Sequence, residues 1–202
     1  MAKDKSKKKA EHYYTKSPTS ELKTYSITYN IGRHSIRLTT ADGVFCKHSV
    51  DFGSNLLINT IADQKKPNSI LDIGCGYGVV GISLGKIFDC SVTMCDINER
   101  AVSLAKRNGK DVNTKVIQSD GFENIGDTFD VIVTNPPIRA GKAVYYQWFT
   151  ESINYLNDDG RFYCVIQKKQ GAPSAIKHLE SVYGNCKIIA KDKGYFITES
   201  TK

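Results

Sequence analysis

Short apolar runs alternate with amphipathic stretches from residue 69 to residue 198, and this alternation restricts the fold more than any other feature. The apolar runs are typical of strands and lie at residues 69–73, 91–95, 114–118, 129–133, 161–166, 185–190 and 195–198. The amphipathic stretches predict helices at residues 79–88, 98–108, 143–156 and 173–183. Such alternation favours an α/β, Rossmann-like, doubly wound fold, with a mostly parallel seven-stranded sheet and helices on both faces. Only residues 191–194 separate the last two strands, which predicts an antiparallel last strand.

Two further segments precede this region. Residues 25–30 and 34–39 alternate apolar with polar side chains around Asn30 and Gly32, which predicts an N-terminal β-hairpin extension. We interpret residues 21–202 as one domain and residues 1–20 as a basic, flexible tail. Residues 1–16 hold six lysines against two acidic residues, in a chain whose net charge is +7. A tail of this kind is attracted to polyanions, although a solvated tail without a partner has the same composition.

Several classes of protein do not fit this composition. No apolar run approaches the roughly 20 residues that span a membrane, and no apolar segment follows the first lysines as in a signal peptide. We therefore expect a cytoplasmic protein without membrane partners. The six cysteines form no Cys-x-x-Cys pair and no cluster with histidine at zinc-site spacing. We expect reduced thiols and no metal site.

A glycine-rich turn follows the first strand of the sheet. Asp72 precedes Gly74, Gly76 and Gly78, and Asp96 ends the next strand. The glycines permit a tight turn that a ligand can approach, and a carboxylate at the position of Asp96 can accept both ribose hydroxyls of an adenosine ligand. The Gly-x-Gly-x-Gly spacing differs from that of dinucleotide sites, and Asp72 would repel a pyrophosphate but could meet a cation. A tight turn without a ligand is the alternative.

A second motif, Asn135-Pro136-Pro137, ends the fourth strand of the sheet. The two prolines stop the strand and fix a rigid turn, leaving carbonyl groups free to accept hydrogen bonds. The Asn135 side-chain oxygen and a proline carbonyl could hold the two hydrogens of an NH₂ group. The lone pair of that nitrogen would then point at an electrophile. Correct alignment of the two groups would make a strong base unnecessary. We predict that Asn135, Pro136 and Pro137 are catalytic.

The pattern Asp-x-Gly-x-Gly-x-Gly with a distal aspartate resembles the class I methyltransferase family, whose cofactor is S-adenosylmethionine. The resemblance implies a further polar contact after the third strand, where Ser119-Asp120-Gly121-Phe122 lies. It implies cofactor binding by Asp72, Gly74, Gly76, Gly78, Asp96, Ile97, Asp120, Phe122 and Asn135.

Asn-Pro-Pro is similar to the Asn-Pro-Pro-aromatic motif of amino-group methyltransferases, but Ile138 stands at the aromatic position. An aromatic ring there would stack on the target base. Stacking by Phe45, Tyr145 or Trp148 could replace it. Contacts with substrate are therefore expected from Phe45, Ile138, Arg139, Lys142 and Trp148.

The elements Gly43-Val44-Phe45 and Asp-x-Gly-Ser-x-Leu-Leu at residues 51–57 look like those of small-subunit ribosomal RNA guanine-N2 methyltransferases. This resemblance covers residues 25–198. It implies methylation of guanine N2, ribosomal RNA or the small ribosomal subunit as partner, and residues 45–54 at the methionine end of the cofactor. Three alternatives stay open: methylation of adenine N6, methylation of a protein glutamine amide, and RNA binding without catalysis.

Overall fold

The computed structural model describes residues 16–17 and 21–202. The predicted tail therefore lies outside the described residues, apart from residues 16–17. The strands are β1 (Thr24–Ile31), β2 (His34–Ala41), β3 (Ser69–Ile73), β4 (Ser91–Asp96), β5 (Thr114–Gln118), β6 (Phe129–Thr134), β7 (Leu156–Gln167), β8 (Lys187–Asp192) and β9 (Tyr195–Thr201). The helices are α1 (Phe52–Ala62), α2 (Val79–Phe88), α3 (Glu99–Asn108), α4 (Lys142–Glu151) and α5 (Ala172–Tyr183). None of the helices in this part of the chain has the length and apolar character that a membrane crossing requires.

Seven strands form one sheet in the order β5-β4-β3-β6-β7-β9-β8. Strands β3 to β7 pair in parallel, and β9 pairs antiparallel with both β7 and β8. This confirms the predicted mostly parallel sheet with an antiparallel last strand. The chain order reverses between β3 and β6, and ligands of open α/β sheets bind outside the carboxyl ends of the strands at such a point.

Alternate side chains of the strands enter two separate cores, one on each face of the sheet. Ile70 of β3 packs with α1, α2 and α3, whereas Leu71 and Ile73 pack with α4 and α5. The first core is mainly aliphatic, and the second contains most of the contacts between aromatic rings, including the edge-to-face contact of Phe149 with Phe162 at 5.5 Å. Two covered faces make the fold doubly wound, as predicted.

The hairpin β1–β2 forms a separate two-stranded sheet that packs on the first core. Leu38 at its centre is fully buried, and the Tyr29 hydroxyl donates to Asn55 Oδ1 of α1 at 2.8 Å. The side chain of Asn108, at the end of α3, accepts from Thr39 N at 2.8 Å and donates to the carbonyls of Thr39 and Tyr77, both at 2.9 Å. One amide thus joins the hairpin, α3 and the glycine-rich turn.

Candidate active site

A cavity of about 220 Å³ opens at the carboxyl ends of β3, β4 and β6. It brings together most of the residues that sequence reasoning selected from distant parts of the chain. The predicted residues that line it are Phe45, Asp72, Gly74, Gly76, Asp96, Ile97, Asp120, Asn135, Pro136, Pro137 and Trp148. The predicted residues that do not line it are Gly78, Phe122, Ile138, Arg139 and Lys142.

Asp72 places a buried carboxylate at the base of the cavity. Only 1% of the residue is exposed, and its Oδ2 accepts from the backbone N–H of Gly81 in α2 at 2.8 Å. Burial raises the pKa of Asp72 to about 7; the Gly81 hydrogen bond lowers this pKa, and the charge of Asp96 raises it. A carboxyl group in this environment ionises more readily when a cation binds beside it.

The glycine-rich turn and Asp96 form one hydrogen-bonded unit. Asp96 Oδ2 accepts from Gly76 N and its Oδ1 accepts from Asn98 N, both at 2.9 Å. Burial raises the pKa of Asp96 and these backbone bonds lower it. Gly76 has a positive φ of 57°, and a Cβ at this position would meet no atom within 4 Å. The turn therefore leaves its backbone open to a ligand, and the Asp96 carboxylate, which lines the same cavity, can accept from a hydroxyl group.

These features fit S-adenosylmethionine, the cofactor that the sequence resemblance implies. The two ion pairs found within residues 16–17 and 21–202 are Lys47–Asp42 and Lys115–Asp127, and neither involves Asp72 or Asp96. Two of the carboxylates that line the cavity, those of Asp72 and Asp96, thus have no ion-pair partner among the described residues. A cationic nucleoside would supply both the missing charge and the ribose hydroxyls.

Asn135 is held by Asp51, the N-cap of α1, and by Ser54 in the first turn of that helix. Its Nδ2 donates to Ser54 Oγ at 2.9 Å and to Asp51 Oδ2 at 3.2 Å. Asp51 Oδ2 also caps α1 by accepting from Ser54 N at 3.0 Å. Because both amide hydrogens have acceptors on this side, the Asn135 side-chain oxygen is left for the cavity. Asp51 and Ser54 were not predicted individually, although the sequence resemblance placed residues 45–54 near the cofactor.

The proline carbonyls are less free than the sequence suggested. Pro136 O accepts from Ile138 N at 2.9 Å, and Pro137 O accepts from Ala140 N at 2.8 Å. Pro137 has φ −76° and ψ 78°, the conformation of an inverse γ-turn, which closes the first of these bonds. Each carbonyl therefore retains one lone pair, rather than two, for an amine hydrogen.

Other predicted residues contribute by packing. Trp148 is only 8% exposed and lies beneath the cavity, where its ring contacts the backbone of Gly74 and Gly121. Phe122 stacks on Tyr155 with ring centroids 4.4 Å apart and lies in the second core. Gly78 caps the start of α2 with φ 91° and packs against Met94. Among the aromatic residues proposed to replace a ring at position 138, Phe45 is 40% exposed and lines the cavity, whereas Tyr145 and Trp148 are buried.

We expect Gly121→Ala to lower the free energy of unfolding by about 2–4 kcal/mol, because a Cβ at φ 54° is strained and would lie 2.7 Å from Trp148 Nε1. Urea denaturation followed by circular dichroism measures this loss. Gly126→Ala is the matched control, since its Cβ would meet nothing within 4 Å. The control should change stability by less than about 1 kcal/mol. Equal stability of the two variants would contradict the packing described for Trp148.

The sheet order, the glycine-rich turn with Asp96 and the Asn-Pro-Pro turn together define a class I methyltransferase. The model of the family described as methyltransferase small domain matches residues 35–199, and the chain belongs to this family.

Three relatives illustrate the range of similarity. Uncharacterized protein YbxB of Bacillus subtilis is 42% identical over 96% of this chain and 99% of its own length. Ribosomal RNA small subunit methyltransferase C of Idiomarina loihiensis is 30% identical over 87% of this chain and 53% of its own length. A solved structure of the Thermus thermophilus 16S rRNA N2 G1207 methyltransferase (RsmC), in complex with AdoMet and guanosine, superposes with a TM-score of 0.79 at 22% identity, over 92% of this chain and 52% of that one. This chain thus spans about half the length of the RsmC relatives that it matches.

Proposed function

We propose that this protein transfers a methyl group from S-adenosylmethionine to the exocyclic N2 amine of a guanine in small-subunit ribosomal RNA. The observation that carries the proposal is the Asn135 amide on the cavity wall, whose nitrogen donates to Asp51 and Ser54, so that its oxygen is left to accept from a substrate. Relatives named as small-subunit rRNA methyltransferases support RNA as the substrate class. Membership of the family supports methyl transfer in general, and the proposal names guanine N2 as the group that accepts the methyl.

In this proposal, bound S-adenosylmethionine supplies an electrophilic methyl group on a positively charged sulfur. Asp72 and Asp96 would hold its cationic and ribose parts. The Asn135 oxygen and the remaining lone pair of the Pro136 carbonyl accept the two N2 hydrogens of guanine. Holding both hydrogens directs the nitrogen lone pair at the methyl carbon, and the acceptors stabilise the positive charge that develops on nitrogen. The new N–C bond would form as the bond between the methyl carbon and the cofactor sulfur breaks, leaving a neutral thioether. One N2 proton would then pass to water, so no strong base is required.

Phe45 is the aromatic side chain that the proposal assigns to the face of the target base. It follows the hairpin, lines the cavity and is 40% exposed, whereas Ile138 is half-buried and packs against the second core. A base inserted beside Asn135 could stack on an aromatic ring, which contributes about 1–3 kcal/mol for each base. In this proposal, Phe45 supplies from another segment of the chain the aromatic ring that the motif lacks at Ile138.

The test uses small ribosomal subunits from a strain that lacks this protein. We expect purified protein to transfer label from methyl-labelled S-adenosylmethionine to the RNA, and mass analysis of the nucleosides to show N2-methylguanosine. Label in N6-methyladenosine would replace guanine by adenine as the acceptor. Label only in ribosomal protein would move the activity to the glutamine-amide alternative.

We expect Ser54→Ala to lower kcat about tenfold, since it removes one acceptor that orients Asn135. The affinity for S-adenosylmethionine, measured by calorimetry, should change far less than kcat. Ser83→Ala is the matched control, because Ser83 is equally buried but its hydroxyl has no hydrogen-bond partner within the described residues. An unchanged kcat for Ser54→Ala would show that Asn135 needs no such support.

A further inference from the structure

A basic and aromatic surface adjoins the candidate active site on the side of β7, β8 and β9. We name it the edge strip; it consists of Phe52, Lys168, Lys169, Lys193 and Tyr195. The three lysines are exposed and the two aromatic residues are partly exposed. The proposed methyl transfer assigns no role to these lysines or to Tyr195.

Sheet topology places the edge strip beside Asn135. Thr134 of β6 pairs with Cys164 of β7, and Gln167 at the end of β7 pairs with Tyr195 of β9. The turn between β8 and β9 is tied to the end of β7, because Lys168 N donates to Gly194 O at 2.8 Å. Gln167 lies three residues beyond Cys164, so the end of β6 and the start of β9 are separated by about 10 Å across the sheet and about 10 Å along the strands.

Side-chain packing also connects the edge strip with Asn135. A Cβ built on Gly53 would lie 3.1 Å from Tyr195 Cε1 and 3.1 Å from Asp51 Oδ2. Asp51 Oδ2 is the atom that accepts from Asn135 Nδ2 at 3.2 Å. The Tyr195 ring is thus one contact away from the side chain that holds Asn135, and the Phe52 ring lies 5.4 Å from it between centroids.

Within residues 16–17 and 21–202, no lysine of the edge strip forms an ion pair with a carboxylate. Neither ion pair of the described residues includes a lysine of the strip, and Asp192 is the acidic residue of the same turn. The ammonium group of Lys193 lies over an aromatic ring instead, with its Nζ 4.7 Å from the Phe52 ring centroid. Unpaired lysines interleaved with aromatic rings are the arrangement that binds single-stranded nucleic acid.

We propose that the edge strip binds the single-stranded RNA segment that flanks the target nucleotide. The lysines contact its phosphates, and Phe52 and Tyr195 give its bases an apolar platform. The proposal rests on the proposed function in its choice of RNA. It adds a path for the RNA, which leaves the cavity across the ends of β7 and β9, away from the glycine-rich turn.

The test compares two triple variants of equal charge. Lys168→Ala/Lys169→Ala/Lys193→Ala removes the lysines of the strip, and Lys65→Ala/Lys66→Ala/Lys110→Ala removes exposed lysines near the amino ends of β3 and β5. Binding of a fluorescent 12-nucleotide oligouridine is measured by anisotropy at several salt concentrations. The strip variant should bind at least about tenfold more weakly, with a salt slope reduced by about 2, since each lost phosphate contact removes about 0.7. The control should keep the wild-type slope.

A second variant tests the aromatic part. Phe52→Leu keeps an apolar side chain while removing the ring, and we expect about a tenfold loss in oligouridine affinity with the salt slope unchanged. The KM for small ribosomal subunits should rise in both strip variants, whereas the affinity for S-adenosylmethionine should not fall.

The two proposals fail separately. Wild-type binding and salt slope in Lys168→Ala/Lys169→Ala/Lys193→Ala would overturn the edge strip, whatever substrate is methylated. Absence of methyl transfer to RNA by the wild-type protein would overturn the proposed function, whereas the oligouridine measurement would still decide whether the strip binds RNA.

Discussion

Replacing Asn135 by alanine should lower kcat for RNA methylation about 10²–10³-fold, because it removes a fixed acceptor for the hydrogens of the attacking amine. The loss should appear in single-turnover rates, where product release does not contribute. Binding of S-adenosylmethionine, measured by calorimetry, should weaken by less than about tenfold, since the cofactor keeps Asp72, Asp96 and the glycine-rich turn.

Asn135→Asp separates the acceptor atom from its orientation. The variant keeps a side-chain oxygen but sets a second carboxylate where Nδ2 now donates to Asp51 at 3.2 Å. Like charges at that distance force one of the two groups to take up a proton or to move away. We therefore expect low activity from this variant as well. Wild-type turnover in Asn135→Ala would refute the role of Asn135 in holding the amine.

Asp72→Asn should weaken the binding of S-adenosylmethionine about 10²-fold or more, because it removes a buried negative charge that faces the cavity without a protein cation. The amide oxygen can still accept from Gly81 N, so the variant should fold. Calorimetric titration of both proteins measures the effect. Equal affinities would show that the cofactor's charge is met elsewhere.

The pH dependence follows from the raised pKa of Asp72, about 7. A cation binds the ionised carboxylate, so cofactor affinity should rise between pH 5 and pH 7, by up to about tenfold for each pH unit, and level off above. Binding at pH 6 should release a proton, which calorimetry detects as a dependence of the heat on the buffer. Asp72→Asn should lose that proton release. An affinity that falls as pH rises toward 7 would contradict the assignment.

The free energy of unfolding should fall over the same pH range in which cofactor affinity rises. The unfolded Asp72 carboxyl loses its proton near pH 3.8, whereas the folded one keeps it up to about pH 7. Stability therefore falls as pH rises through this window, because the unfolded state binds fewer protons than the folded state. Asp72→Asn should unfold at an equal or higher temperature than the wild type at pH 7.5. This result would also show that weak cofactor binding by the variant is no folding defect.

The sequence was sufficient to predict the sheet and the motifs at its edge. The carboxyl ends of parallel strands meet at one edge, so Gly74, Asp96 and Asn135 could be expected near one another once their strands were recognised. The last strand was also predictable, because four residues cannot form a crossover. These conclusions depend on local patterns and on rules of chain connection, which a single sequence records.

Contacts between distant segments were beyond the sequence. Nothing in local spacing shows that Asp51 and Ser54 hold an amide more than 80 residues away, since that contact depends on how α1 packs beside β6. The stacking of Phe122 on Tyr155 was not predictable either, because packing in the second core sets the direction of the Phe122 side chain. The γ-turn at Pro137, which occupies one lone pair of Pro136, depends on dihedral angles that the motif does not determine.

The hairpin β1–β2 sets the boundary of what could be transplanted into another protein. A graft starting at Ser69 would carry the seven-stranded sheet and the glycine-rich turn, but not the Thr39 groups that Asn108 bonds, nor Phe45 on the cavity wall. Such a graft would expose the face of α2 and α3 that Leu38 and its neighbours cover. We therefore expect the smallest portable unit to begin at the hairpin, which packs on the first core of the same fold.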